Sequence, residues 1–215
     1  TLLAAALAVA YLRRAPRPLP AIRALLPLPE PTMTLGELAV SPDGTRLAFT
    51  AAKAGGLPAL WIRRLDGSSS QPVPGGENAS FPFWSPDGRF VGFFTEGKLK
   101  RVNPTGGPIL TVCNAERGAG GTWNRDGTIV FAPTLTSGLF RVPAAGGQPV
   151  PITKVAFSRH ETAHRYPQFL PDGRRFLYMA ANLSATADDP ANSIRVGSIA
   201  GRIDKALVPV ASGES

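Results

Sequence analysis

Four copies of one turn-and-strand unit predict an all-β molecule, a β-propeller fragment of about four four-stranded blades. Three observations carry that expectation. First, the unit seen in Trp84-Ser85-Pro86-Asp87-Gly88 recurs as Val40-Ser41-Pro42-Asp43-Gly44, Trp123-Asn124-Arg125-Asp126-Gly127 and Phe169-Leu170-Pro171-Asp172-Gly173. Second, the copies follow one another at roughly 40 to 45 residues, the period of a four-stranded blade. Third, each turn leads into a short apolar run: Leu47-Ala48-Phe49, Val91-Gly92-Phe93, Ile129-Val130-Phe131 and Phe176-Leu177-Tyr178.

The turn chemistry explains why a hairpin forms at each copy. Ser at the first position, Pro presetting φ at the second and Gly free to adopt φ > 0 at the last are the residues a tight β-turn uses. Asp43, Gly44, Asp87, Gly88, Asp126, Gly127, Asp172 and Gly173 are therefore read as a structural turn motif. The third copy lacks the Pro and is one residue shorter after its Gly. Beyond the turn, Phe90 to Phe94 is apolar on both faces, as in a strand covered on both sides.

A third strand follows in each unit, at Leu60-Leu65, Leu99-Val102, Leu139-Val142 and Ser193-Val196, alternating apolar with basic residues as a strand with one solvated face does. After a glycine turn comes a short last strand such as Ile109-Val112 or Val150-Ile152, where Pro marks a sheet edge. The blades fall near 35-78, 79-117, 118-155 and 164-210, and the fourth carries an inserted polar loop at Asn182 to Asn192. Abundant Gly and Pro, with few charges, match many short strands and tight turns.

Upstream of the propeller region (35-215), Thr1 to Leu12 is continuously apolar and ends at Arg13-Arg14, so 1-14 is read as the end of a transmembrane segment. Residues 15-34 form a Pro/Arg-rich linker, with Ile22 to Leu26 as a candidate closing strand. The chain is read as an open arc of a larger propeller, six-bladed or more, because four blades are the lower limit for closure.

The formal net charge of +8 raises nucleic acid as a partner. The basic residues, apart from Arg13, Arg14, Arg17 and Arg23, are scattered rather than gathered into the stripe that phosphates need, so no nucleic acid partner is expected. Cys113 is the only cysteine, which removes internal disulfides and cysteine-based metal clusters. His160-Glu161-Thr162-Ala163-His164 matches the H-E-x-x-H zinc pattern, but that chemistry requires a helix, and Pro167 and the following strand leave little room for one. No catalytic, metal or cofactor site is expected.

The Ser-Pro-Asp-Gly copies and their flanking aromatics resemble the TolB-like propeller repeat from about Leu35 onward. More closely, Ala79-Arg89, Gly120-Gly127 and His164-Gly173 resemble the propeller that follows the membrane helix of bacterial transmembrane serine/threonine protein kinases. The resemblance implies a cytoplasmic kinase domain upstream, one membrane crossing near Thr1 to Leu12, an extracytoplasmic, periplasmic propeller, and further blades after Ser215. Arg13 and Arg14 pull the other way, since positive charge favours the cytoplasmic side. No Gly-rich nucleotide loop, His-Arg-Asp loop or Asp-Phe-Gly occurs, so phosphotransfer would lie outside this chain.

The function expected is non-catalytic binding or sensing, with a protein or small-molecule ligand at the propeller rim or channel mouth. His164, Arg165 and Tyr166, entering a central strand, are the candidate ligand-binding residues. The alternatives are an accessory propeller of a prolyl-oligopeptidase-type hydrolase, whose Gly-x-Ser-x-Gly nucleophile elbow is absent here, or a TolB-like periplasmic interaction propeller.

Overall fold

In the computed structural model the described residues are 32–53, 55–67, 70–184, 189, 192–201 and 203–209, with only the backbone of 32–34 and 209. The expected membrane segment, linker and closing strand lie outside them. Among the described residues no helix is long and apolar enough to cross a membrane.

Among the described residues, sixteen strands form four four-stranded antiparallel sheets, each from consecutive strands. The first blade is β1 (Thr32–Val40), β2 (Arg46–Lys53), β3 (Ala59–Arg64) and β4 (Ser70–Glu77). The second is β5 (Ser80–Trp84), β6 (Val91–Thr95), β7 (Lys98–Val102) and β8 (Leu110–Asn114). The third is β9 (Gly121–Trp123), β10 (Thr128–Phe131), β11 (Phe140–Pro143) and β12 (Val150–Pro151). The fourth is β13 (Ala163–Phe169), β14 (Arg175–Ala181), β15 (Ser193–Ser198) and β16 (Asp204–Pro209). Successive sheets pack on one another in chain order, and the first and last make no extended contact among the described residues. The result is an open propeller arc.

Each Asp-Gly turn joins the first and second strand of a blade. Its glycine sits at positive φ, from 63° at Gly173 to 76° at Gly127, and its N–H donates three residues back, for example Gly88 to the Ser85 carbonyl at 2.9 Å. The second strands are the cores of their blades: every residue of β6 is buried, and Ile129, Val130 and Phe131 of β10 are wholly excluded from solvent. Apolar clusters fill the joints between blades, such as Phe83, Phe94 and Leu99 of the second blade against Ile129, Phe131 and Val142 of the third.

One expectation about the third strands fails. Arg63 and Arg195 were expected on a solvated face, yet they are 6% and 7% exposed. Arg195 donates from Nε to Asp204 at 2.7 Å, and Arg63 reaches the Gly67 carbonyl at 3.4 Å. Arg195 stays inside because the Asp204 carboxylate meets its charge, whereas the corresponding Arg101 and Arg141 of the two inner blades are half-buried and exposed.

Candidate functional site: the axial channel

The first strands of the four blades, β1, β5, β9 and β13, run along the axis and line it. At their turn ends they enclose a basin of about 770 Å³, bounded by Val40, Pro86, Trp123, Arg125, Asp126 and Asp172 among others. Next to it along the same strands, at mid-strand in β13, a second hollow of about 420 Å³ is lined by Glu37, Phe81, Gly120 and Tyr166, with Gln168 shared between the two spaces. Counting back six residues from each turn aspartate gives these same four residues, so one repeat position builds the waist of the channel.

Three of the four waist positions have left-handed backbone: Phe81 at φ 47°, Gly120 at 97° and Tyr166 at 52°. The strand pairing slips there, between Ser80 and Phe83 in β5 and between Arg165 and Gln168 in β13. A bulge at this point frees a backbone N–H from its own sheet, and that of Tyr166 donates to the Ala119 carbonyl of the neighbouring blade at 3.1 Å. Gly120 permits that closeness, since a Cβ there would lie 2.9 Å from the Tyr166 Cα. Bulky residues at positive φ are costly, and such strain gathers where a side chain must be aimed. Here it aims the Phe81 and Tyr166 rings at each other, centroids 5.8 Å apart and inclined at 52°.

The turn aspartates divide by role. Asp43 and Asp87 each accept from the serine two residues before, and the same serine oxygens accept the backbone N–H of Arg46 and Phe90. The Ser41 hydroxyl and the Thr45 N–H hold the Asp43 carboxyl down at about 2. Asp172 is likewise held at about 2 by the Arg175 N–H and guanidinium and the Arg174 N–H. Asp126 makes no hydrogen bond or ion pair among the described residues; Asn124 closes that turn, accepting from the Thr128 N–H at 2.8 Å and donating to the Gly173 carbonyl at 2.7 Å. Asp126 and Arg125 are thus exposed charges on the basin wall without a turn duty for the carboxylate.

Of the three residues expected near the mouth, Tyr166 lines the channel, 47% exposed. Arg165 lies with its guanidinium over the Tyr166 ring at 5.1 Å and does not line the hollow. His164 is wholly buried at the joint between blades three and four, away from any mouth. The Thr153 hydroxyl accepts the Leu139 N–H at 2.7 Å, so its own hydrogen goes to His164 Nδ1 at 2.8 Å, leaving Nε2–H to donate to Glu161 at 3.1 Å. Burial lowers the His164 pKa against the pull of Glu161. Burial also pushes Glu161 up, but bonds from Arg159, the Ala156 N–H and His164 bring it below its ordinary value.

The H-E-x-x-H stretch is not a helix. A single 3-10 turn at Phe157–Arg159 ends in a left-handed His160, whose side chain is exposed, while His164 is inside β13. The two histidines therefore do not form the helical pair that zinc chemistry of this type uses.

Glu37, Phe81, Arg125, Asp126 and Gln168 escaped the sequence reading of the site. The available signal was the repeat itself: at the sixth position before each aspartate the copies differ in chemistry, Glu37, Phe81, Gly120 and Tyr166, while the position three later stays large and apolar.

No protein-family model and no curated protein matches the chain. Solved structures do. A protein assigned as TolB from Agrobacterium tumefaciens aligns at TM-score 0.66 and 17% identity, over 84% of this chain and 64% of that one. TolB from Acinetobacter baumannii aligns at 0.59 and 19%, over 81% and 44%. A puromycin hydrolase aligns at 0.60 and 17%, over 85% and 30%. The fold is thus a TolB-like β-propeller, of the kind that also occurs in hydrolases, and this chain spans less than two thirds of each of these proteins' length.

Proposed function

We propose that this chain is a non-catalytic docking propeller, which takes a protein segment or small ligand into the axial basin at the turn end. The observation that supports it most is the pair of free charges on the basin wall: Arg125 and Asp126 are exposed beside Trp123, and Asn124 has taken over the turn bond that would otherwise engage Asp126. Concave, partly apolar space with a few orienting polar groups is where ligands bind. The proposed context is a membrane-anchored bacterial protein with an extracytoplasmic propeller and a serine/threonine kinase domain upstream. That context is supported by the resemblance of Ala79-Arg89, Gly120-Gly127 and His164-Gly173 to the kinase-linked propeller and by the apolar run Thr1 to Leu12.

The test is a random-peptide display selection on the full chain, followed by calorimetry on Arg125→Glu and Asp126→Lys. Selected ligands are expected to lose about tenfold or more in affinity on either reversal, with the melting temperature retained. Ligands that bind both variants as they bind the parent would contradict the basin as the docking site. For the context, the coding sequence on either side decides: a kinase upstream supports it, and a hydrolase domain downstream replaces it with the accessory-propeller reading that the puromycin hydrolase likeness favours.

A further inference from the structure

We infer that the waist of the channel is a cation-binding site, which seats one ammonium or guanidinium group against the Phe81 and Tyr166 rings beside the Glu37 carboxylate. The inference rests on the docking reading and names what the waist of the channel selects.

The lining decides the sign. Glu37 is the only charged residue among those lining the hollow, and the rest are apolar or neutral. One Glu37 oxygen accepts from Thr50 Oγ1 at 3.0 Å, and no lysine or arginine pairs with it among the described residues. Anions are disfavoured there, and a divalent metal, which wants several oxygen ligands, would find one carboxylate.

The rings supply the second element. An aromatic face attracts a cation through its quadrupole, more strongly when water is displaced. The Tyr166 ring already carries one such contact, from Arg165, which does not line the hollow. The Arg165 charge opposes a second cation nearby, which makes the Glu37 carboxylate the deciding group. Both rings project from backbone at positive φ and lie against each other with centroids 5.8 Å apart, so two aromatic groups face the hollow together. A hollow of about 420 Å³ has room for an alkylammonium.

The experiment titrates the full chain with n-butylammonium, Nα-acetyl-lysine methylamide and its Nε-acetylated form, following ring signals of Phe81 and Tyr166 by aromatic NMR. Both amines are expected to shift those signals, and the neutral form is expected to bind at least about tenfold more weakly. Glu37→Gln, which keeps an acceptor for Thr50, should weaken the amines by about tenfold, Tyr166→Phe should keep binding, and Tyr166→Gly should lose it. Tighter binding of the lysine derivative than of butylammonium assigns the cation to a protein side chain, and equal binding to a free amine. Equal binding of the neutral form, no effect of Glu37→Gln, or unmoved ring signals would overturn the inference. Failure here leaves the basin variants as an independent test of docking, and their failure leaves these ring shifts standing.

Discussion

At the scale of single residues, the repeat hides a division of labour between positions that look alike. Asp126 occupies the same place as Asp87, yet Asn124 does the turn's work and also bonds across to Gly173 of the next blade. Asn124→Ala removes the bonds to the half-buried Thr128 N–H and Gly173 carbonyl, and is expected to cost about 1 kcal/mol, read as a lower melting temperature. Asp126→Ala should leave the melting temperature unchanged in the same experiment. Tyr166→Gly removes a ring contact and relieves a left-handed backbone, effects of opposite sign and each about 1 kcal/mol. Its stability should stay within about 1 kcal/mol of the parent by denaturant titration, whereas truncating a buried aromatic such as Tyr178 should cost several times that. The turn motif was legible because turn residues act locally. The role of Asp126 was not, because Asn124's second bond goes to a residue distant in sequence.

At the scale of the blade, the joint between the third and fourth sheets is the most polar part of the interior. Glu161 and His164, both essentially unexposed, connect through Arg159 and Arg195 to Asp204, which also accepts from the Tyr178 hydroxyl at 2.6 Å. The folded-state pKa of His164 lies below its ordinary 6.5 and that of Glu161 below its ordinary 4.5. The unfolded chain therefore binds protons first, and stability present above those values is lost as pH falls. Melting temperature should begin to drop below about pH 6.5 through His164, and further below about 4.5 through Glu161. His164→Gln should melt lower at neutral pH but lose the decline in the upper part of that window. A parent melting temperature flat from pH 7 to 5 would contradict this account of the joint. Sequence made the second strands readable, since Val91-Gly92-Phe93-Phe94 has no polar face to give to water. Arg63 and Arg195 misled because alternation reports a wet face only when nothing packs there, and partners such as Asp204 come from the neighbouring strand.

For the whole molecule, four sheets of the same plan face one axis, and the proposed docking places recognition where their innermost strands differ. The blade period was visible from the spacing of Asp43, Asp87, Asp126 and Asp172, but the channel was not, since it arises only when Glu37, Phe81 and Tyr166 of separate blades meet. If ligands enter along this axis, as proposed, they pass Gln168, which is exposed and shared by basin and waist. Cys113 is buried, which raises its thiol to about 11 and keeps it unreactive, so Gln168→Cys can be capped selectively with a bulky maleimide. Calorimetry with display-selected ligands should find binding intact in uncapped Gln168→Cys and abolished after capping, while capping Thr111→Cys on an outer strand leaves it unchanged. Binding that survives the cap at 168 and disappears with the cap at 111 would place recognition on the rim and contradict the account.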